Sequence, residues 1–402
     1  MKLFKSIHPR LALILFGLLL TNTGSFMILP FLSLYLSSLK LSAGTIGLVL
    51  TVNVLCQRGL TFFGGILSDR FGERRLLIIG LSVRLIGYIL YSSAGHISSI
   101  FLASACVGLG GALFAPGLMA TIVKLAGDSK QAVFALRNTV INIGSSIGPI
   151  LGGLLYRYSV FWIFMLTALA HLIFLLFILF AGPDDIHAEQ KIPAADLFHY
   201  VFHHYVMMIL ALVNAIFWFV YSQFNLAIPL YMNDFFQRPS LTGFLFTING
   251  LFVISLQYAI AKLFFQKFSG RFILCFGFLS MSAAYFILGL IPHLVSIFLF
   301  VLLFSTSEVL TLPTIDSLVS ERAPENRLST CYGFVDLGWA IGAAAGNLIG
   351  GPFFDFVQSR HLFPLAWFSC GILSLLTLFF IFLLGPGRQT LHPAQTGAVS
   401  GK

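Results

Sequence analysis

The chain has 402 residues, 58% of them hydrophobic and only 9% charged, with 44 Phe and a formal net charge of +9. Soluble domains carry about a quarter charged residues, so this chain cannot cover a water-facing surface; a soluble enzyme and a disordered segment are both excluded. Its apolar runs are too long for barrel strands, which alternate polar and apolar, and a polytopic helical membrane protein is left.

The chain opens with Lys2, Lys5 and Arg10 ahead of an apolar run that reaches Leu36. That run exceeds the apolar core of a signal peptide, and it reads as an uncleaved first span. Apolar runs bounded by Gly, Pro and charge predict spans near 10–36, 45–67, 75–93, 98–122, 131–156 and 160–181. A polar stretch follows over 183–204, and six more spans are predicted near 205–232, 241–265, 272–290, 294–318, 327–355 and 362–384. The expected fold class is therefore all-α, with twelve transmembrane helices in two pseudo-symmetric six-helix bundles over 1–182 and 205–402. With the N-terminus inside, 16 of the 23 Lys and Arg fall on the cytoplasmic side, 4 outside and 3 within spans. Both termini are then cytoplasmic, and the basic excess reports topology rather than nucleic-acid binding.

An internal repeat supports two related halves. Gly144, Gly148, Gly152 and Gly153 in the fifth span fall, at an offset of 198, on Gly342, Gly346, Gly350 and Gly351 in the eleventh. At an offset of 197, Pro116 falls on Pro313. Glycines at i, i+4 and i+8 form a smooth helix face that suits either static close packing or sliding.

The loop between the second and third spans reads Gly65-x-Leu67-Ser68-Asp69-Arg70-x-Gly72-x-Arg74-Arg75. It resembles the signature loop of the major facilitator superfamily. Gly144-x-x-x-Gly148-Pro149-x-x-Gly152-Gly153 resembles a motif of that superfamily's proton-driven drug antiporters, and the Arg84 segment, the Gly108-x-Gly110-Gly111 turn and Glu308 are similar to its multidrug-resistance transporters. Two positions depart from the pattern. Glu73 stands where the family usually has a basic residue, and Ser104 is near the place where antiporters often carry an Arg early in the fourth span. The resemblance implies a conformational gate at Gly65, Asp69, Arg70, Gly72 and Arg74, and at Gly144, Gly148, Pro149, Gly152, Gly342 and Gly346. Arg137 and Asp336, near cytoplasmic helix ends, are expected to form gate or inter-half ion pairs.

Glu308 lies about 15 Å along its helix from Leu318, near the bilayer centre, where a carboxylate is costly unless paired or protonated. It is the leading candidate for proton or substrate handling, with Arg84 and Arg58 as companions; the alternative is a permanent ion pair with one of those arginines. Asn214, Trp218, Tyr221 and Asn225 recur on one helical stripe, and Asn22 and Phe26 make a shorter one. The family implies that the spans holding them line a central cavity, whose mix of aromatics and amides suits amphipathic substrates. Asp355 is expected to be solvated at an outer helix end. His199, His203 and His204 have metal-ligand spacing but read better as an interfacial segment, so no metal is expected. The five cysteines form no CxxC pair, and no nucleotide-binding or HExxH motif occurs. No cofactor and no enzymatic activity are expected. The expected partners are protons, a small-molecule substrate and membrane lipid, without nucleic acid, around a monomer. The function that follows is export of amphipathic compounds against inward proton flow, in a bacterial inner membrane. A siderophore exporter, an organic-anion symporter and a lipid-moving carrier are the alternatives left open.

Overall fold

A computed structural model describes residues 9–93, 95–126, 130–181, 204–263, 267–323 and 328–384. Its elements are α1 (Pro9–Ser38), α2 (Ala43–Val54), a π-helical turn (Leu55–Gly59), α3 (Thr61–Phe71), α4 (Glu73–Ser92), α5 (Ile97–Ala126), α6 (Lys130–Tyr156) and α7 (Val160–Ala181), then α8 (Tyr205–Asp234), α9 (Leu241–Leu263), α10 (Gly270–Leu290), α11 (Leu294–Arg322), α12 (Leu328–Ser359) and α13 (Phe363–Phe382). α2, the π turn and α3 form one span, so the described residues make twelve. Ten of the helices are long and apolar enough to cross a membrane. Large hydrophobics point outward along them, among them Phe63, Ile86, Leu102, Leu154, Phe244, Ile341 and Phe379. Water would not tolerate such a belt; lipid tails do, and the helix is the form that satisfies every backbone group there.

The repeat in the sequence reappears as repeated packing. In the first half α1 packs on α6 and α7, and α4 on α5 and α7. In the second, α8 packs on α12 and α13, and α10 on α11 and α13. The four spans α1, α5, α8 and α11 each hold an internal proline, Pro30, Pro116, Pro229 and Pro313. Each removes one helical hydrogen bond, which neighbouring helices make tolerable at membrane depth.

The halves meet through α2 on α12, α6 on α9, and α1 on α8. Those contacts lie toward the face that carries the short turns after α1, α4, α6, α8, α10 and α12, hereafter the loop face. A continuous apolar core joins both halves there, including Phe31, Ile46 and Val49 from one and Leu226, Ile228 and Phe354 from the other. Near the opposite face, where α1 begins and α13 ends, the first half keeps a separate core built on Leu11, Leu15, Leu77, Phe174 and Ile178. The molecule is therefore sealed on the loop face. The expected linker over 183–204 lies outside the described residues apart from His204, which precedes α8; His199 and His203 lie outside them as well.

Candidate functional site

A cavity of about 680 Å³ lies between the halves at mid-depth. Its wall takes Asn22, Phe26, Arg58, Arg84 and Pro149 from the first half and Trp218, Tyr221, Asn225, Glu308 and Trp339 from the second, and it extends to Leu118, Met119 and Arg137 toward the termini. Asn214 is a correction to the expected stripe. It is buried against α12 and donates its amide to the Val335 carbonyl at 2.8 Å, so it ties two helices together instead of facing the cavity. The four residues do share one line of the helix, but α12 packs over its lower turn and takes Asn214 out of the cavity.

Glu308 projects from α11. Its carboxylate accepts hydrogen bonds from the Asn249 amide at 3.0 Å and the Tyr221 hydroxyl at 3.4 Å. Asn249 also donates to Ser305 at 2.9 Å, which fixes the amide. No described arginine pairs with Glu308, so the permanent ion pair with Arg58 or Arg84 is absent from this conformation. A carboxylate held only by neutral donors keeps its charge uncompensated in a low-dielectric site, and it can exchange a proton without breaking an ion pair.

The two arginines sit apart. The Arg58 guanidinium, on the π turn, lies 3.3 Å from the centre of the Trp339 ring across the gap between halves. Trp339 stacks on Trp218 at 4.1 Å, Trp218 meets Tyr221 at 4.7 Å, and Tyr221 bonds Glu308. Asp336 lies one turn before Trp339 on α12. Arg84 donates one terminal nitrogen to Ser25 at 3.1 Å and to Tyr88 at 3.0 Å, while its Nε has no partner. Arg137 donates to the neighbouring Asn138 at 3.1 Å, and no ion pair joins it to Asp336.

The expected gate elements divide into two groups. Gly144, Gly148 and Gly152 face α1 at Asn22, Thr23, Phe26 and Met27, inside the first half. Gly342 and Gly346 face α8 at Ala215 and Phe219, inside the second. These faces are seams within each bundle. The seal between bundles is made elsewhere, by Gly47 and Gly351 where α2 and α12 touch backbone to backbone, and by Gly243 against Pro149 and Gly153. In the signature loop Gly72 takes φ 92°, a conformation that favours glycine, and Arg74 donates to the Leu179 carbonyl at 2.8 Å. Arg70 lies exposed beside Phe71. The surroundings of Gly65 and Asp69 lie outside the described residues.

Asp355 is a second correction. It is not solvated alone: its two carboxylate oxygens accept from the backbone N–H groups of Ala43 at 2.8 Å and Gly44 at 2.7 Å. A carboxylate of the second half thus caps the first turn of α2 in the first half, on the loop face, where the helix dipole favours negative charge. Ser33 to the Asn225 carbonyl at 3.0 Å and Thr51 to the Ala344 carbonyl at 3.1 Å complete the polar part of the seal. Asp355→Ala removes two charge-assisted bonds, with an expected bias of about 2 kcal/mol, or roughly thirty-fold, toward a parted loop face. Hydrogen exchange at the Ala43 and Gly44 amides should accelerate by that factor; unchanged exchange would remove Asp355 from the seal.

Reasoning from sequence missed Asn249 and Trp339, and it took Asp355 for a solvated acid. Asn249 had a usable signal as a lone amide in an apolar span, whereas the other two depend on how the halves meet. Among the described residues no group of His, Cys, Asp and Glu could hold a metal ion.

Comparison with known proteins agrees with this architecture. The family model described as Major Facilitator Superfamily matches residues 14–347. The chain is 29% identical over 370 residues to the multidrug resistance protein MdtH of Yersinia enterocolitica, covering 90% of each chain, and 28% identical over 375 residues to that of Yersinia pestis, covering 91% and 92%. Its fold is similar to a POT family transporter in complex with 5-aminolevulinic acid, with TM-score 0.81, 15% identity and coverage of 94% and 96%. It is equally similar to the nucleoside transporter NupG, with TM-score 0.81, 14% identity and coverage of 94% and 100%. The chain is an integral multi-pass membrane protein of the major facilitator superfamily, a family of transporters and not of enzymes.

Proposed function

We propose that the protein exports amphipathic small molecules by proton antiport, its two bundles, 1–182 and 205–402, rocking about the central cavity. The observation that carries this reading is Glu308. It is a cavity-facing carboxylate at membrane depth, bonded to Tyr221 and Asn249 and paired with no described cation. Such a group binds a proton or a positively charged substrate, and the two exclude each other on electrostatic grounds. That exclusion is antiport at the level of one side chain.

The seal on the loop face and the cavity reaching toward the termini describe one end state. With both termini cytoplasmic, as the distribution of Lys and Arg argues, that state receives substrate from the cytoplasm of a bacterial inner membrane. Multidrug resistance in the MdtH relatives supports a broad amphipathic substrate range for a cavity walled by Trp218, Trp339, Tyr221 and Phe26. Alternating access then needs the Asp355, Gly47 and Gly351 contacts to part while the termini side closes, bringing Arg137 and Asp336 toward partners.

The test uses purified protein in proteoliposomes with ethidium, a fluorescent amphipathic cation. An imposed pH gradient should drive ethidium against its concentration gradient, and collapse of the pH gradient by a protonophore should stop it. Ethidium movement that ignores the pH gradient would replace antiport by facilitated diffusion.

A further inference from the structure

A second cavity, of about 300 Å³, lies inside the second half between α8, α12 and α13, away from Glu308. α12 and α13 both pack on α8 but touch each other only sparingly, which leaves a slot over that helix. Its wall includes Gln223 from α8, Ile349 and Phe353 from α12, and Trp367, Cys370 and Leu373 from α13. The polar groups of the wall are occupied. Gln223 donates its amide to the Gly346 carbonyl at 2.8 Å and to Ser222 at 3.0 Å, and Ser369 donates to the Ala366 carbonyl at 2.8 Å. A water would find too few partners there, and a cavity with apolar walls stays dry and accepts an apolar guest.

The depth of the slot identifies that guest. Counted from the helix ends at the loop face, Phe354 to Ile349 lie about 8 to 15 Å down α12, and Ala366 to Leu373 about 5 to 15 Å down α13. Those depths fall in the hydrocarbon of one leaflet, about 15 Å thick. The rims face lipid: Ile349 and Phe356 on α12 and Leu365 and Ile372 on α13 are exposed, and they continue the outward belt that includes Ile341 and Phe379. The slot has room for roughly ten methylenes, each about the volume that a water takes in the liquid. Its wall is fixed, because the Trp367 ring is held 5.1 Å from Tyr231 and 6.2 Å from Tyr285 and cannot swing into the space. Above the mouth, Arg360 occupies the turn between α12 and α13. Its guanidinium lies 4.8 Å from the centre of the Phe356 ring, and Phe356 stacks on Phe353 of the slot wall at 6.4 Å. A cation at headgroup level, with an apolar slot one leaflet deep beneath it, matches the two ends of one molecule, a phosphate and an acyl chain.

We propose that this slot is a binding site for an anionic phospholipid of the loop-face leaflet, with one acyl chain between α12 and α13 against Trp367 and its phosphate on Arg360. The lipid is a resident of the site and not a transported molecule, so the assignment stands apart from the role of Glu308. Its place is also mechanical. α12 closes the loop face through Gly351 and Asp355, and the bound chain lies against the outer side of the same turns.

Tryptophan quenching in vesicles tests the site. The full chain is reconstituted in phosphatidylcholine with a rising fraction of phosphatidylglycerol brominated midway along one chain, and the emission of each of the four tryptophans is read from its replacement by Phe. Trp367 is 1% exposed, so lipid that only surrounds the protein does not touch it, whereas a chain in the slot lies on its ring. Trp367 is expected to lose most of its emission. Ala366→Leu, which fills the slot, should restore that emission while leaving the quenching of the exposed Trp162 unchanged. Brominated phosphatidylglycerol should reach Trp367 with about five-fold higher affinity than brominated phosphatidylcholine, the preference that one basic residue gives an anionic headgroup. Arg360→Gln should abolish that preference while saturating brominated lipid still quenches. Trp367 that keeps its emission in the unaltered protein overturns the proposal without any variant. Quenching that survives Ala366→Leu overturns the slot as its origin, and equal affinity for the two headgroups in the unaltered protein overturns the phosphate contact at Arg360.

Discussion

In Glu308→Gln protein a pH gradient no longer drives accumulation, and the internal-to-external substrate ratio falls to one. A gradient of one pH unit, used at one proton per cycle, supports about a ten-fold ratio in the unaltered protein, since RT ln 10 is about 1.4 kcal/mol. Glutamine keeps the size of the side chain; its amide oxygen accepts from Asn249 and its amide nitrogen donates to the Tyr221 hydroxyl, so the packing of α8, α9 and α11 around it is preserved. What it lacks is a site that gains and loses a proton. Downhill exchange of substrate across the membrane should therefore persist while uphill movement stops, a separation that misfolding would not produce. Fluorescence measurements on proteoliposomes, with and without the gradient, read both quantities. Full uphill transport by Glu308→Gln would place the proton elsewhere.

Valine at two equivalent-looking glycines should give opposite failures. At Gly351 the added Cβ would collide with the Ala43 carbonyl oxygen, and the next atoms are backbone as well, the Ala43 carbonyl carbon at 2.9 Å and Gly44 Cα at 3.1 Å. Backbone cannot turn aside as a side chain does, so α2 and α12 must separate. Because those helices belong to different halves, parting at the loop face relieves the clash without disturbing either bundle. Gly351→Val is expected to be a folded protein, open on the loop face, with transport reduced more than ten-fold. At Gly342 the Cβ would collide with the Ala215 carbonyl oxygen of α8, and Ala215 Cα lies at 2.8 Å. That contact is inside one bundle, and relief requires opening its core. Overpacking of this kind costs about 3 kcal/mol, enough to remove folded protein from the membrane. Size-exclusion chromatography in detergent distinguishes the two: a monodisperse peak for Gly351→Val and loss of the peak for Gly342→Val.

The twelve spans and the two halves were legible because the apolar runs are long and the Gly144 and Gly342 motifs repeat at a fixed offset. Glu308 was legible for a thermodynamic reason: a carboxylate deep in an apolar span is rare enough to single itself out. What the motifs do was less legible. A glycine face reads the same in sequence whether it packs within a bundle or slides between bundles, and only the three-dimensional arrangement puts Gly148 against Thr23 and Gly351 against Ala43. Asp355 looked like a solvated acid at a helix end because its partners are the backbone amides of Ala43 and Gly44, more than 300 residues away and without any sequence signature. Asn214 shared a stripe with Trp218 and Tyr221, but the approach of α12 decided that it faces Val335. Trp339 was overlooked because an aromatic in an apolar span is ordinary until a guanidinium from the other half lies on its face.

The most direct measurement of the central claim is proton release on substrate binding. Purified protein in weakly buffered detergent solution, with a pH indicator present, is mixed with saturating ethidium, and the proton yield is compared with the amount of ligand bound. If Glu308 exchanges a proton for substrate, the unaltered protein releases protons on binding, up to one per bound ligand, and Glu308→Gln releases none. Binding that takes up protons, or that releases the same number from Glu308→Gln, would contradict antiport through this carboxylate.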